Sequence, residues 1–332
     1  MVRFGIRYAL RRPAWAVASR QELYGAFLDQ VEWADRMGFE KVMLSEHHGC
    51  EDGYMPSPLV FGAAVAARTS QIRIHISSII APLHNVVRLA EDLAVLDVLS
   101  NGRVEPVLSG GYVGTEFDML GTSLAARKNY MDDVIPFLKK AWTGEPFEWK
   151  GQTIRVTPRP VQEPHPPIWM GGSSRASARR AAEHADVFVP SDARLYAYYH
   201  EQLEALGKPR PVDGLRQTLV WVAEDPDRFW EAFSPHALHE NNEYGTWYLD
   251  WDAWNSYVLE DNADALCDSG RYRIVTPDEL IAVCRHMDPG RTITLHPLAG
   301  GCHPDLAWES LRLLEEKVLP VLRADEEKHA VS

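Results

Sequence analysis

The sequence predicts an α/β fold, a (β/α)8 barrel, and two observations lead to it. Short apolar strands alternate strictly with amphipathic helices, a pattern typical of a parallel sheet covered by helices. Eight such strand–helix units fit into the 332 residues, with insertions after the fourth and seventh strands. Eight units over this length favour a closed barrel over an open doubly wound sheet. We therefore interpret residues 1–332 as a single barrel domain.

The predicted elements follow one another with short links. The first helix, over residues 21–37, has apolar side chains at helical spacing and ends at Gly38, a typical C-terminal cap. The strands are predicted at residues 3–10, 41–44, 72–80, 104–108, 168–170, 187–189, 217–222 and 292–295. The helices are predicted at 21–37, 58–67, 85–99, 127–142, 174–185, 196–206, 277–287 and 304–322.

The first insertion, residues 144–167, predicts a β-hairpin. Phe147 and Trp149 alternate with polar residues before Lys150-Gly151, and Ile154 and Val156 alternate after it. Alternation on both sides of a short turn is the signal of a hairpin, and a Pro-rich return follows.

The second insertion, residues 224–268, is acidic and rich in Trp. It holds twelve Asp and Glu and one Arg, so it carries −11 of the total net charge of −13. Its tryptophans are Trp230, Trp247, Trp251 and Trp254. Because it follows a barrel strand at the carboxyl end, where lids are found, we predict a lid, with a solvated acidic surface as the alternative. Its charge also suggests a preference for neutral or cationic substrates over anions.

Composition excludes some classes of protein. A net charge of −13 does not suit a general nucleic-acid binder, which needs a basic face. The four cysteines form no C-x-x-C pair, and the N-terminal arginines interrupt any signal-peptide core. No apolar stretch reaches the length of a membrane span, and no H-E-x-x-H or H-x-H pattern predicts a metal site. We expect a cytoplasmic protein that binds neither membrane nor metal.

In a parallel barrel the site lies at the carboxyl ends of the strands, so polar residues there are candidates for chemistry. His47 and His48 follow the second strand, and an imidazole is a suitable base near neutral pH; the alternative is a buried structural histidine. Ser77 and Ser78 end the third strand. Residues 109–112, Ser-Gly-Gly-Tyr, follow the fourth, and their glycines allow a flat ligand to approach the backbone.

The fifth strand ends in a candidate anion site. Residues 171–174, Gly-Gly-Ser-Ser, follow Met170 directly and open a helix that contains Ser177. Free backbone N–H groups, the helix dipole and hydroxyl groups converge at such a point and favour a phosphate. The alternative is an ordinary serine N-cap.

Taken together, these segments resemble the bacterial luciferase-like flavin-dependent oxidoreductases over nearly the whole chain except the acidic insertion. The match lies in the order and spacing of segments that are weak singly. They are residues 1–6, 45–48, 77–80, 86–92, 96–97, 100–103, Gly111-Tyr112 with Glu116-Phe117 and Gly121, 167–174, and 297–301.

The resemblance implies a barrel that binds reduced FMN, or the deazaflavin coenzyme F-420, at its carboxyl face. It implies that His47 acts near the flavin as base or proton donor, and that Ser77-Ser78 forms a non-prolyl cis peptide against the ring. Ser109 would lie beneath the ring, and the serines after the fifth strand would bind the phosphate. The cofactor-binding set is Ser77, Ser78, Ser109, Gly110, Tyr112, Met170, Gly171, Gly172, Ser173, Ser174 and Ser177.

The sequence departs from the family at one position. Luciferases carry a phosphate-contacting Arg after the fourth-strand position of Ser109, and here the residue is Gly110. The anion would then rely on backbone N–H groups, serine hydroxyls and Arg175, which keeps the deazaflavin open as the cofactor.

The leading functional hypothesis is a monooxygenase that uses reduced FMN and O2 on a small organic substrate. No nicotinamide-binding fingerprint is present, so a separate reductase would supply the reduced flavin. The alternatives are an F-420-dependent hydride transfer without O2, a flavin-binding protein without catalysis and, more distantly, a metal-dependent hydrolase. The family also implies a homodimer that pairs through the helices at 58–67 and 85–99.

Overall fold

A nine-stranded parallel sheet forms the centre of the molecule in the computed structural model, which describes residues 2–211, 217–247, 249, 257–287 and 291–331. The strands of the chain are β1 (Arg3–Tyr8), β2 (Lys41–Leu44), β3 (Arg73–Ile80), β4 (Val104–Ser109), β5 (Phe147–Trp149), β6 (Gln152–Ile154), β7 (Trp169–Gly172), β8 (Val187–Pro190), β9 (Gln217–Val222), β10 (Arg273–Val275) and β11 (Thr292–Leu295). The sheet order is β10-β9-β11-β1-β2-β3-β4-β7-β8. Eight of these strands thus follow the cyclic chain order of a (β/α)8 barrel, and the predicted fold class is confirmed.

Helices cover the sheet between successive strands. They are α1 (Arg20–Met37), α2 (Pro58–Arg68), α3 (Val86–Ser100), α4 (Gly114–Met119), α5 (Arg127–Ala141), α6 (Arg175–His184), α7 (Arg194–Ala205), α8 (Pro226–Trp247), α9 (Ala263–Asp268), α10 (Pro277–Arg285), α11 (Pro304–Leu313) and α12 (Leu319–Val331). A π-helical turn joins α11 to α12. None of the helices among the described residues is long and apolar enough to cross a membrane.

The barrel strands are buried on both faces, which explains why they appear in the sequence as apolar runs. Every residue of β2 and of β11 is buried, and Ile6, Val42 and Ile74 are wholly inaccessible. Burial of one such side chain is worth about 1.5–3 kcal/mol. The core therefore fixes the strand ends that carry the polar residues.

The sequence analysis did not predict α8, which lies in the acidic insertion and contains Pro235, a residue that usually breaks a helix. It also did not predict α4, α9 and β10, which have at most six residues each, too few for a helical or strand period to be visible. The first insertion contains the antiparallel pair β5–β6.

The second insertion begins with α8, which packs directly on the barrel. A Cβ on Gly300, where φ is 56°, would lie 2.0 Å from the carbonyl oxygen of His236, so only glycine allows this approach. The buried Glu240 accepts a hydrogen bond from the Gly300 N–H at 3.1 Å and lies 3.3 Å from His296. This part of the insertion is a wall of the barrel mouth. Trp251 and Trp254, which the predicted lid also included, lie outside the described residues.

Candidate functional site

A cavity of about 440 Å³ opens at the carboxyl ends of the strands. It brings together His47 and the predicted cofactor-binding set: Ser77, Ser78, Ser109, Gly110, Tyr112, Met170, Gly171, Gly172, Ser173, Ser174 and Ser177. Arg7, Tyr54, Tyr244 and Tyr257 line the cavity as well. The cavity has two chemically different ends.

At one end, the link from β7 to α6 forms a tight polar turn, which we call the anion cradle (Gly172, Ser173, Ser174 and Ser177). Ser174 is the N-cap of α6: its Oγ accepts from the Ser177 N–H at 3.2 Å, and Ser177 Oγ accepts from the Ser174 N–H at 3.1 Å. A Cβ on Gly172 would lie 2.2 Å from Ser177 Oγ, so the turn closes only around glycine. The N-cap is thus present, and its backbone N–H groups and helix dipole are also suited to an anion.

Three basic side chains line the same end of the cavity: Arg127 and Lys128 at the start of α5, and Arg180 in α6. Arg127 borders the space beside Gly110 together with Met131: a Cβ on Gly110 would lie 3.5 Å from Met131 Cγ and 3.9 Å from Arg127 Cδ. It donates to the carbonyl oxygen of Gly111 at 2.9 Å. Arg180 is paired with Asp132.

Arg175, which the sequence analysis named as a phosphate partner, takes no part in lining the cavity. It is exposed, and its guanidinium lies 5.5 Å from the centre of the Tyr198 ring. The position was misjudged because Arg175 is adjacent to the cradle in sequence, whereas Arg180, one and a half turns further along α6, faces the cavity.

The floor of the cavity is built by β3, β4 and β7. The peptide bond between Ser77 and Ser78 is cis, as the resemblance implied, and the register between β3 and β4 shifts at this point. Ser109 donates a hydrogen bond to the carbonyl oxygen of Ile79 at 3.4 Å. A Cβ on Gly171 would lie 3.2 Å from Ser78 Oγ, so the floor is closely packed where a flat ligand could rest.

At the other end, His47 is paired with Glu116 of α4. His47 Nδ1 lies 2.8 Å from Glu116 Oε1, and the same oxygen accepts from the His48 N–H at 2.8 Å. Both side chains are buried, and the second oxygen of Glu116 has no hydrogen-bond partner among the described residues. A carboxylate on Nδ1 selects the tautomer that carries its proton there, which leaves Nε2 as an acceptor.

Burial is the largest influence on His47, and it lowers the pKa below the ordinary value of 6.5. The hydrogen bond and charge of Glu116 oppose this effect, while the charge of Arg11 adds to it. His47 is therefore neutral at pH 7 and able to accept a proton.

His48 points elsewhere, as expected for adjacent side chains. Its Nε2 lies 3.0 Å from Glu46 Oε1, and Glu46 also bonds His84 and the backbone N–H of Ile80. Although burial acts against it, the hydrogen bond with Glu46 raises the pKa of His48. His48 therefore belongs to a separate buried network.

Aromatic rings surround His47 and form what we call the aromatic wall (Tyr54, Tyr112, Tyr244 and Trp247). Their ring centroids lie 4.1 Å from that of His47 for Trp247, 4.9 Å for Tyr54, 5.6 Å for Tyr112 and 6.2 Å for Tyr244. Two of the four, Tyr244 and Trp247, come from the last turns of α8. The acidic insertion thus supplies apolar surface to the site.

Sequence reasoning missed several residues of this site. Glu116 stood in a segment that carried the family resemblance, but no role was assigned to it. Arg127, Lys128 and Arg180 lie on helices, where basic residues are usually solvated, and Tyr54 and Tyr244 are separated by 190 residues in the chain. The one sequence signal was Gly110. Because this position lacks the arginine of the family, a basic side chain from another element could take its place.

The comparisons with known proteins agree with this geometry. The family model described as luciferase-like monooxygenase matches residues 2–264. The chain belongs to the luciferase-like monooxygenase family.

Among curated relatives, the oxygenase component of a flavin-dependent trigonelline monooxygenase from Acinetobacter baylyi is 26% identical over 173 residues, which cover 50% of this chain and 48% of the relative. The chain spans about half the length of the curated relatives it matches.

Among solved structures, monooxygenase RslO1 from Streptomyces bottropensis has a TM-score of 0.78 at 24% identity, covering 97% of this chain and 100% of that one. The oxygenating constituent of 3,6-diketocamphane monooxygenase from Pseudomonas putida, in complex with FMN, has a TM-score of 0.72 at 19% identity, covering 96% and 98%. An F-420-dependent secondary alcohol dehydrogenase has a TM-score of 0.63 at 16% identity, covering 92% and 98%. These likenesses show a shared fold.

Proposed function

We propose that the protein is the cytoplasmic oxygenase component of a two-component, flavin-dependent monooxygenase. It takes reduced FMN from a separate reductase and uses O2 to oxidise a small organic substrate. The observation that carries this proposal is one cavity that joins an anion cradle to a buried, neutral His47. The flavin-dependent relative and the FMN-bound structural neighbour support the choice of cofactor and reaction.

The residues at the cradle fit a phosphate-bearing flavin. Gly172 lets the backbone close tightly against Ser177, and the side chains of Arg127 and Arg180 add positive charge. Charge-assisted hydrogen bonds of this kind are about twice as strong as neutral ones. Ser77, Ser78, Ser109 and Gly171 would support the flat ring system.

When bound, reduced FMN would supply the electrons and the reactivity toward oxygen, since the redox chemistry belongs to the cofactor. The chain itself manages protons and water. His47 Nε2, which lies 3.4 Å from the hydroxyl of Tyr112, would accept or return a proton, while Glu116 holds the tautomer. A positioned acid–base group is worth about 10²–10⁴-fold in rate. The aromatic wall keeps water away from this nitrogen.

A second candidate is hydride transfer with coenzyme F-420. Gly110 replaces the phosphate-contacting arginine of luciferases, and an F-420-dependent dehydrogenase shares the fold. We rank it second because a curated relative is flavin-dependent and the FMN-bound structural neighbour has the higher TM-score, 0.72 against 0.63.

The deciding experiment is an anaerobic titration of the purified protein with reduced FMN and, separately, with reduced F-420. Tight binding of reduced FMN, followed by oxygen consumption above the rate of free flavin, supports the monooxygenase. Preference for F-420 without oxygen consumption moves the function to hydride transfer. If oxidised and reduced FMN bind but no oxidation of any substrate follows, a non-catalytic flavin-binding protein is indicated.

We also propose that two copies pair through α2 and α3. Val60, Val95, Val98 and Leu99 are exposed apolar residues on these two helices, a pattern that marks an interaction surface. Sedimentation of the double variant Val98→Asp, Leu99→Asp tests this, and we expect monomers where the native protein forms dimers. Val17→Asp is the control, because Val17 is 88% exposed and lies on neither helix. Dimers that persist in the double variant would contradict the pairing.

A further inference from the structure

Two arginines near the end of β1 differ in how their charges are balanced. Arg11 is wholly buried, and its Nη1 lies 2.6 Å from Asp52 and 3.6 Å from Glu243. Arg7 lines the cavity and makes one hydrogen bond, from Nη2 to the hydroxyl of Tyr244 at 2.8 Å. Among the described residues, no carboxylate comes within 4 Å of the Arg7 guanidinium.

Among the described residues, the carboxylate whose charge acts on Arg7 is Glu240, and no hydrogen bond joins the two side chains. Glu240 Oε2 accepts from the backbone N–H of Gly300 at 3.1 Å, and its Oε1 lies 3.3 Å from His296 Nδ1 without forming a hydrogen bond. A guanidinium has five N–H donors, and Arg7 uses one of them within the described chain. A half-buried cation whose N–H donors lack partners costs folding free energy. A ligand in the cavity that accepts hydrogen bonds from these donors offsets that cost.

Arg7 lies across the barrel from the anion cradle. β1 is separated from β7 by β2, β3 and β4 in the sheet order, and the cradle with Arg127 and Arg180 lies on the β7 side. A flavin phosphate can occupy one of these two positive ends. The charge of Arg7 is then left for a second molecule.

The surroundings of Arg7 are flat and aromatic. The Tyr244 ring is stacked on that of Tyr257, with centroids 4.5 Å apart and an angle of 22°. The hydroxyls of Tyr54 and Tyr244 are hydrogen-bonded at 2.7 Å, and Tyr54 also contacts His47. The donors of Arg7 and the nitrogen of His47 therefore belong to the same group of side chains.

We propose that Arg7 is the substrate-recognition residue and that the substrate is a planar organic carboxylate. A guanidinium binds a carboxylate through two parallel hydrogen bonds, a geometry that selects it over neutral groups of the same shape. The ring would lie against Tyr54, Tyr244 and Tyr257, beside His47. This inference rests on the proposed function, since it assigns the cradle to the flavin phosphate.

The proposal runs against the preference for neutral or cationic substrates that net charge suggested. The described part of the acidic insertion contributes Tyr244 and Tyr257 to the cavity and no carboxylate. The lining carboxylate from elsewhere, Glu46, is held by His48 and His84. The inward-facing charge at this end is therefore positive although the insertion as a whole is negative.

The test compares acids with amides of the same shape: benzoate with benzamide, and 2-naphthoate with 2-naphthamide. Affinities are measured by calorimetric titration of the flavin-free protein and again with FMN bound. We expect the native protein to prefer each acid by about tenfold or more, the usual strength of a hydrogen bond to a charged group. Arg7→Met should abolish the preference, and Arg7→Lys should keep part of it.

Two further variants separate a role of Arg7 in binding from a failure to fold and from binding of the acid in the anion cradle. Arg7→Gln keeps a polar side chain but removes the charge, so it should also lose the preference, and it serves if Arg7→Met does not fold. Arg180→Met should weaken FMN binding and leave the acid preference intact. If Arg180→Met loses the preference instead, the acid lies in the anion cradle and the proposal is wrong.

Other results also decide the matter. Equal affinities for acid and amide, no binding of either acid at millimolar concentration, or a preference that survives Arg7→Met would each overturn the proposal. If FMN binds but the protein shows no preference for the acids, the assignment of Arg7 is wrong and the flavin assignment stands. Acid preference in a protein that binds no flavin removes the flavin assignment and leaves Arg7 as a carboxylate site.

Discussion

The two ends of the cavity are built in opposite ways. The anion cradle comes from six consecutive residues, 172–177, and acts through backbone N–H groups, a helix end and hydroxyls. The aromatic wall comes from three separate segments and acts through the side chains of Tyr54, Tyr112, Tyr244 and Trp247. A change in the cradle should therefore affect cofactor affinity, and a change beside the wall should affect the reaction. Four predictions test that division.

The largest effect is expected at His47. His47→Gln removes the imidazole that Glu116 holds in place. We expect oxygenation to fall by about 10²–10⁴-fold, the usual worth of a positioned acid–base group. FMN affinity, measured by anaerobic titration, should stay within about twofold. The control is His48→Gln, because His48 faces Glu46 and should cost far less. Full oxygenation by His47→Gln would remove His47 from the mechanism.

Gly172→Ala should act on the cradle. The added Cβ would lie 2.2 Å from Ser177 Oγ and 2.3 Å from its Cβ, so the turn must shift. Overpacking of this kind costs about 1–3 kcal/mol, and we expect FMN affinity to fall by about 10- to 100-fold. Gly25→Ala in α1 is the matched control: nothing lies within 4 Å of its Cβ, and it should leave affinity unchanged. Native FMN affinity in Gly172→Ala would show that the phosphate binds elsewhere.

Arg180→Met should distinguish FMN from riboflavin. If Arg180 contacts the phosphate, the variant loses about tenfold in FMN affinity and nothing in riboflavin affinity. Fluorescence titrations with both flavins provide the measurement. Arg175→Met is the control, since Arg175 is exposed and does not line the cavity. Equal losses for FMN and riboflavin would mean that Arg180 supports the fold and not the phosphate.

Glu116→Gln should give the smallest change, a shift in pH dependence. Burial already holds the pKa of His47 below 6.5, and the hydrogen bond and the charge of Glu116 are the main influences that raise it. Without that charge the pKa falls further, so neutral His47 persists to lower pH. The acid limb of the rate profile should therefore move to lower pH, with a few-fold loss of rate at pH 7 from the weaker anchor. A shift to higher pH, or none, would contradict the pairing.

The cradle and the wall also differ in how far the sequence reveals them. The fold is readable because buried parallel strands leave apolar runs, and the cradle is readable because its chemistry is contiguous. The wall is not readable, because Tyr54 and Tyr244 meet only after the barrel has formed. Arg127 and Arg180 look like ordinary basic residues on solvated helices. The one sequence signal for Arg127 was the missing side chain at Gly110. The local sequence does not show that a helix beginning seventeen residues later lies beside that position.

The contact of α8 with Gly300 has a consequence for how this site can change. His236, Glu240, Tyr244 and Trp247 are three or four residues apart, so one helical stripe both holds α8 against Gly300 and contacts the side chains around His47. One residue inserted between Glu240 and Tyr244 would turn the end of the helix by about 100° and remove both rings from the site. Substitution at 244 or 247 alters the rings and leaves the contacts of His236 and Glu240 with Gly300 in place. New substrates are therefore reached here by exchange of side chains on a helix of fixed length.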